Sequence, residues 1–71
     1  MQRKPVSSTV ISAVGYDPAT NVLELAFIDG HGYRYFAVPA SVYAGLLAAG
    51  SLGTFFAQRI RHTYAYERLP A

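Results

Sequence analysis

The 71 residues are 52% apolar and 14% charged, which excludes a disordered chain and a coiled coil and leaves room for one hydrophobic core. Six Lys/Arg against four Asp/Glu give a net charge of +2, a mild bias toward anionic partners, and the lack of Cys excludes a disulfide framework, a thiolate metal site and a cysteine nucleophile. A domain this small hides only about 60% of the surface its unfolded chain exposes, so part of its six Tyr and four Phe must face outward, where an apolar patch marks a partner, a ligand or a dimer contact.

Residues 1–7 read as a basic N-terminal tail. No apolar run follows Met1–Pro5, so the segment does not read as a signal peptide, and the chain reads as cytoplasmic, with no membrane partner. From Ser8 to Tyr16 the β-branched residues Thr9, Val10, Ile11 and Val14 predict a first strand, closed by the turn formers Asp17 to Asn21. Asn21 to Ile28 alternates as a second strand, Asp29-Gly30-His31-Gly32 supplies a hairpin, and a third strand runs to Val38. With either a two-residue or a four-residue loop, paired positions sum to an odd number. Leu23, Leu25 and Phe27 are then expected to share a face with Arg34, Phe36 and Val38, leaving Tyr33 and Tyr35 on the opposite, open face.

Pro39 suits a first helical turn, Ser41 can cap, and Val42, Tyr43, Leu46 and Leu47 recur at helical spacing until Gly50, which predicts a helix over 39–49. Ser51 can cap a second helix with the stripe Leu52, Phe55, Phe56 and Ile60. Thr63 to Tyr66 alternates again, as a short edge strand or an extended coda, and residues 67–71 read as a C-terminal tail. The expected fold is α+β: a three-stranded antiparallel meander followed by two short helices packed on one sheet face, βββαα, with a single domain over 8–66.

In chain order, Ser8-Thr9-Val10-Ile11-Ser12-Ala13-Val14-Gly15-Tyr16-Asp17, Tyr33-Arg34-Tyr35-Phe36, Val38-Pro39, Val42-Tyr43, Leu46-Leu47, Ser51 with Gly53, Phe55-Phe56, Ile60-Arg61 and Tyr64-Ala65-Tyr66 resemble a KTSC domain over about residues 8–66. That module resembles the C-terminal extension of some lysyl-tRNA synthetases and also stands alone in bacteria and phages, with a central Tyr-x-Tyr, here Tyr33-Arg34-Tyr35. The resemblance implies a role in RNA or tRNA binding, by association with a tRNA-handling enzyme. The chain departs from the family at Leu52, Ala57 and Ala65, where a basic residue, Asn and Pro are common, so a polar site built on the first two positions is missing here.

The candidate RNA-binding residues are Tyr33, Tyr35 and Tyr64 for stacking on unpaired bases, with Tyr16 as a further ring, and Arg34, Arg59 and Arg61 for phosphates. Ordinary cross-strand packing of Tyr33 and Tyr35 is the competing reading. Arg34 either snorkels over the second helix or pairs with Glu24 or Glu67. Arg59 and Arg61 lie about 200° apart on a helix, so Arg61 is expected beyond its end. His31 and His62 have no metal-ligand spacing, and no phosphate loop, paired-carboxylate signature or Ser/His/acid arrangement is present. The chain therefore reads as a non-catalytic binding module without metal or cofactor. Its expected partner is RNA; the alternative is a protein-interaction domain or homodimer, in which the same tyrosines and Ile28 form the interface centre.

Overall fold

The structure, a computed structural model, describes residues 3–70. Met1, Gln2 and Ala71, at the outer ends of the two expected tails, lie outside the described residues. One antiparallel sheet holds five strands in chain order: β1 (Lys4–Pro5), β2 (Ile11–Asp17), β3 (Val22–Phe27), β4 (Gly32–Tyr35) and β5 (Tyr66–Leu69). Between β4 and β5 come α1 (Ala40–Ala48) and α2 (Leu52–Phe55), the latter running into a π-helical turn, Phe56–Ile60. The α+β class with two helices stands, but five strands replace the expected three. Lys4 and Pro5, in the expected N-terminal tail, pair with Val14 and Ala13, and the edge strand expected at Thr63–Tyr66 lies instead at Tyr66–Leu69, running into the expected C-terminal tail and paired along β4. No helix among the described residues is long and apolar enough to cross a membrane.

The register of β3 with β4 follows from their loop. Gly30 N–H donates to Phe27 O at 3.0 Å and Phe27 N–H donates to His31 O at 2.8 Å, so the loop is the three residues Ile28, Asp29 and Gly30. Gly30 sits at φ +95°, a left-handed position that closes such a loop and that only glycine occupies without strain. A three-residue loop makes paired positions sum to an even number. Leu23 lies across from Tyr35, Leu25 from Tyr33, and Glu24 from Arg34. The expected sidedness is therefore reversed: Tyr33 and Tyr35 join Leu23 and Leu25 beneath the helices, while Arg34 turns to the open face.

A second irregularity serves the same core. Between Ile11 and Ala13 the β2–β3 register shifts by one residue, with Ser12 as the extra residue and its Oγ donating to Ala26 O at 3.1 Å. Ile11 and Val14 are three apart and would point to opposite faces of a regular strand; the bulge lets both enter the core. Both are fully buried, with Leu23, Leu25, Val38, Leu46 and Ile60, and with Tyr35 and Phe56 nearly so.

The helices meet their expected positions with changed ends. Pro39 flanks α1 instead of entering its first turn, Ser41 lies inside the helix, and Ala49 rather than Gly50 ends it. Ser51 caps α2, its Oγ accepting from Thr54 N–H at 3.3 Å. Leu52, Phe55, Phe56 and Ile60 all pack on the core, as their spacing predicts. The chain reaches α1 through Ala37, which is held at φ +57° while Val38 N–H donates to Asn21 O at 2.8 Å and Val38 enters the core.

These two left-handed residues have opposite expected responses to substitution. A Cβ at Gly30 would meet nothing within 4 Å, so Gly30→Ala carries only backbone strain and should destabilise the fold by about 1–2 kcal/mol. Ala37→Gly relieves comparable strain against a glycine entropy cost of about 0.5–1 kcal/mol and should be neutral or slightly stabilising. Denaturant midpoints of the two variants check both signs; a large loss from Ala37→Gly contradicts the assignment of strain there.

Candidate functional site

Because β4 lies next to β5, the inward rings of both strands meet. Tyr35 pairs with Tyr66 across the ladder, and their ring centroids stand 5.6 Å apart. Tyr33 lies 5.8 Å from Tyr66 and, edge-on, 5.6 Å from Phe27. Phe56, from the π-helical turn, closes the group with edge contacts to Phe27 at 5.2 Å and Tyr35 at 5.6 Å. These five rings face a cleft of about 530 Å³ between the sheet and the second helix. Gly53, Ala57, Arg61 and His62 line its helical side, and Val10 and Asp29 line it as well.

The helical bank is built by close approach and by the wide turn. A Cβ on Gly53 would come within 3.1 Å of Val10 Cγ2, so the absent side chain lets α2 sit against the chain leading into β2. The π-helical hydrogen bond runs from Arg61 N–H to Phe56 O, 2.9 Å, and buries Phe56 and Ile60 on one side. Such turns are rare and recur at functional sites. Arg61 stands at the end of this turn and lines the cleft; Arg59, on its exposed side, does not.

Polarity is divided between the two sheet faces. On the open face, Arg34 donates to Glu67 Oε1 at 3.1 Å and to Glu24 Oε2 at 3.4 Å, while Arg3 Nε donates to Glu24 Oε1 at 2.6 Å. The Glu24 side chain is only 9% exposed, so a carboxylate buried this far depends on both guanidiniums for compensation. Arg34 thus takes the paired reading, with both Glu24 and Glu67, and not the snorkelling one. On the cleft side, Arg68 bonds the His31 ring at 2.6 Å, and Arg59 and Arg61 have no carboxylate within ion-pair distance among the described residues.

Of the residues singled out from the sequence, the fold gathers Tyr33, Tyr35 and Arg61 at the cleft. Arg34 is on the far face, Arg59 points outward, and Tyr64 packs half-buried on the core. Tyr16 is structural: its ring stacks on Tyr43 at 4.7 Å and its hydroxyl donates to Val38 O at 2.6 Å. The sequence reading omitted Phe27, Phe56 and Tyr66 from the site. Tyr66, on the helix-covered face but 58% exposed at its edge, is the solvent-exposed aromatic that the composition requires. An even register would have pointed to Phe27 and Tyr66, since it places Phe27, Tyr33 and Tyr35 on one face.

Known proteins are similar to this chain in sequence and in fold. The profile of the KTSC domain matches residues 7–64. A protein of Stutzerimonas stutzeri is 41% identical over 70 residues, 97% of this chain and 99% of its own length. One from Tsukamurella paurometabola is 50% identical over 52 residues, 73% of this chain and 78% of the relative. A lysine–tRNA ligase of Nostoc sp. is 41% identical over 66 residues, which make up 93% of this chain and 12% of the ligase. The crystal structure of a KTSC domain protein from Yersinia pestis superposes with a TM-score of 0.92 at 36% identity, covering 97% of both chains.

Burial pushes the Tyr35 phenol up to about 12, helped by the neighbouring Tyr33 and Tyr66 phenols and opposed by the Arg61 charge. The folded value lies above the ordinary 10, so the fold favours the neutral phenol. Its contribution to stability is complete below pH 10 and is lost as the pH rises through about 12. A phenolate titration read at the Tyr35 ring should show it ionising near pH 12, and Arg61→Gln should move it further up. A Tyr35 phenol titrating near its ordinary value of 10 would contradict the burial of this ring.

Proposed function

The chain belongs to the KTSC domain family, and from that membership and the cleft we propose that it is a non-catalytic module that binds unpaired RNA. The observation that carries this reading is the grouping of Tyr33, Tyr35 and Tyr66 with Arg61 and His62 around one opening. Aromatic rings take any base by stacking, at about 1–3 kcal/mol per base, and a guanidinium beside them offers a fork of donors to phosphate. None of the three phenols is spent on a protein acceptor among the described residues, unlike that of Tyr16. Tyr66 is the exposed ring on which a base has access, and Tyr35 and Phe56 form the floor. The similarity to a segment of a lysine–tRNA ligase supports the same class of ligand.

The cations set the expected strength. Glu24 and Glu67 hold Arg3 and Arg34 on the opposite face, so few positive groups are left for phosphates near the cleft. Binding by the isolated module is therefore weak and salt-sensitive, and gains from any covalent attachment to a larger RNA-binding protein.

Titration with a short oligoribonucleotide, followed by NMR at low and moderate salt, checks the proposal. Tyr66, Tyr33 and Arg61 resonances should shift, the affinity should fall with added salt, and Tyr66→Ala should weaken binding about ten-fold. Concentration-dependent broadening without RNA-induced shifts would contradict the proposal and favour self-association.

A further inference from the structure

We infer that the cleft holds a single nucleotide by a terminal phosphate, so that RNA is read at a strand end and not along its length. This narrows the RNA reading above and rests on it for the source of the ligand. Three observations lead to it.

The first is size. A cleft of about 530 Å³ lies in the range of sites for compact ligands, which suits one nucleotide and not a run of them. The second is the placement of charge around the opening. Arg61 and His62 margin it on the side of the second helix, whereas Asp29 stands on the β3–β4 hairpin side, its Oδ1 accepting from His31 N–H at 3.0 Å and its side chain 66% exposed. A phosphodiester backbone passing over the cleft from one bank to the other would meet that carboxylate. A strand that stops at Arg61 meets that guanidinium without crossing to the carboxylate.

The cations also fail to form a track. Arg3 and Arg34 are held on the opposite face by Glu24 and Glu67, and Lys4 lies on β1, four strands away from β5. At about 4.8 Å per strand that is about 19 Å across the sheet. Arg59, on the exposed side of the turn before Arg61, is the remaining cation beside the helical bank. Single-strand binders that follow a chain need a groove of positive charge along it, and here the guanidiniums near the opening stand apart, Arg61 on the helical side and Arg68, hydrogen-bonded to His31, on the β5 side.

The third observation is chemical. A terminal phosphomonoester carries up to about two negative charges and three acceptor oxygens, where an internal diester carries one charge. The cleft lining supplies the donors for such a group: the guanidinium of Arg61, the ring of His62 and the phenol hydroxyls of the sheet side. The base then stacks against Tyr66 and Tyr33.

The test compares tetraribonucleotides of one sequence bearing a phosphate at the 5′ end, at the 3′ end, or at neither, with adenosine 5′-monophosphate and inorganic phosphate alongside. One phosphorylated form should bind about ten-fold more tightly than the unphosphorylated one. Arg61→Gln should remove that difference, and Lys4→Gln, which loses the same charge from the far edge, should keep it. Equal binding of all three tetranucleotides would overturn the terminal-phosphate inference and leave the RNA reading in place. Binding of the mononucleotide with no binding of any tetranucleotide would overturn the RNA reading and support a phosphate-anchored nucleotide in the cleft. Binding of inorganic phosphate as tight as that of the mononucleotide, or no binding at all, would overturn the inference.

Discussion

The loop Ile28-Asp29-Gly30 decides which side of the sheet each residue of β4 faces. Its left-handed glycine closes three residues where two or four would place every β4 side chain on the other face. With three, Tyr33 and Tyr35 pair opposite Leu25 and Leu23 and join the helix-covered face, and Arg34 pairs opposite Glu24. The core, the aromatic cleft and the charge row on the open face all follow from that one register. The site sits partly inside the core because the same residues build both.

The two faces divide the chain's charges. Alternating Arg3, Glu24, Arg34 and Glu67 cross the open face as one row, and a carboxylate as buried as Glu24 is held by having a guanidinium on each side. Their effect on function is indirect. By holding two of the arginines, this row leaves Arg61 at the cleft, Arg59 on the outer side of the same turn, and Arg68 hydrogen-bonded to His31. A modest net charge thus leaves one guanidinium, that of Arg61, lining the cleft with five aromatic rings.

Much of the fold was legible in the sequence. The β-branched run of β2, the alternation of β3, the apolar spacing of both helices and the Ser51 cap were all readable, because each is set by residues close together in the chain. Strand count and sidedness were not. Two-residue β1 has no periodicity to detect, and β5 carries Glu67 and Arg68, which read as tail and become strand only through pairing with β4. Sidedness turned on whether Gly30 or the residues around it closed the hairpin, a single-residue choice that local composition leaves open. For the same reason Tyr33, Tyr35 and Arg34 each lie on the face opposite to the one expected, the tyrosines meeting Arg61 at the cleft and Arg34 meeting Glu24 and Glu67 on the open face. Phe27, Phe56 and Tyr66 come from three elements whose meeting depends on the register.

The most direct test of this account is a nuclear Overhauser spectrum of the free protein at the Tyr35 ring. The register described here predicts cross-peaks from that ring to Phe56 and Tyr66, with Arg34 side-chain signals connected to Glu24 and Glu67. A Tyr35 ring without contacts to Phe56, together with an Arg34 side chain touching Leu46 or Ile60, would contradict it.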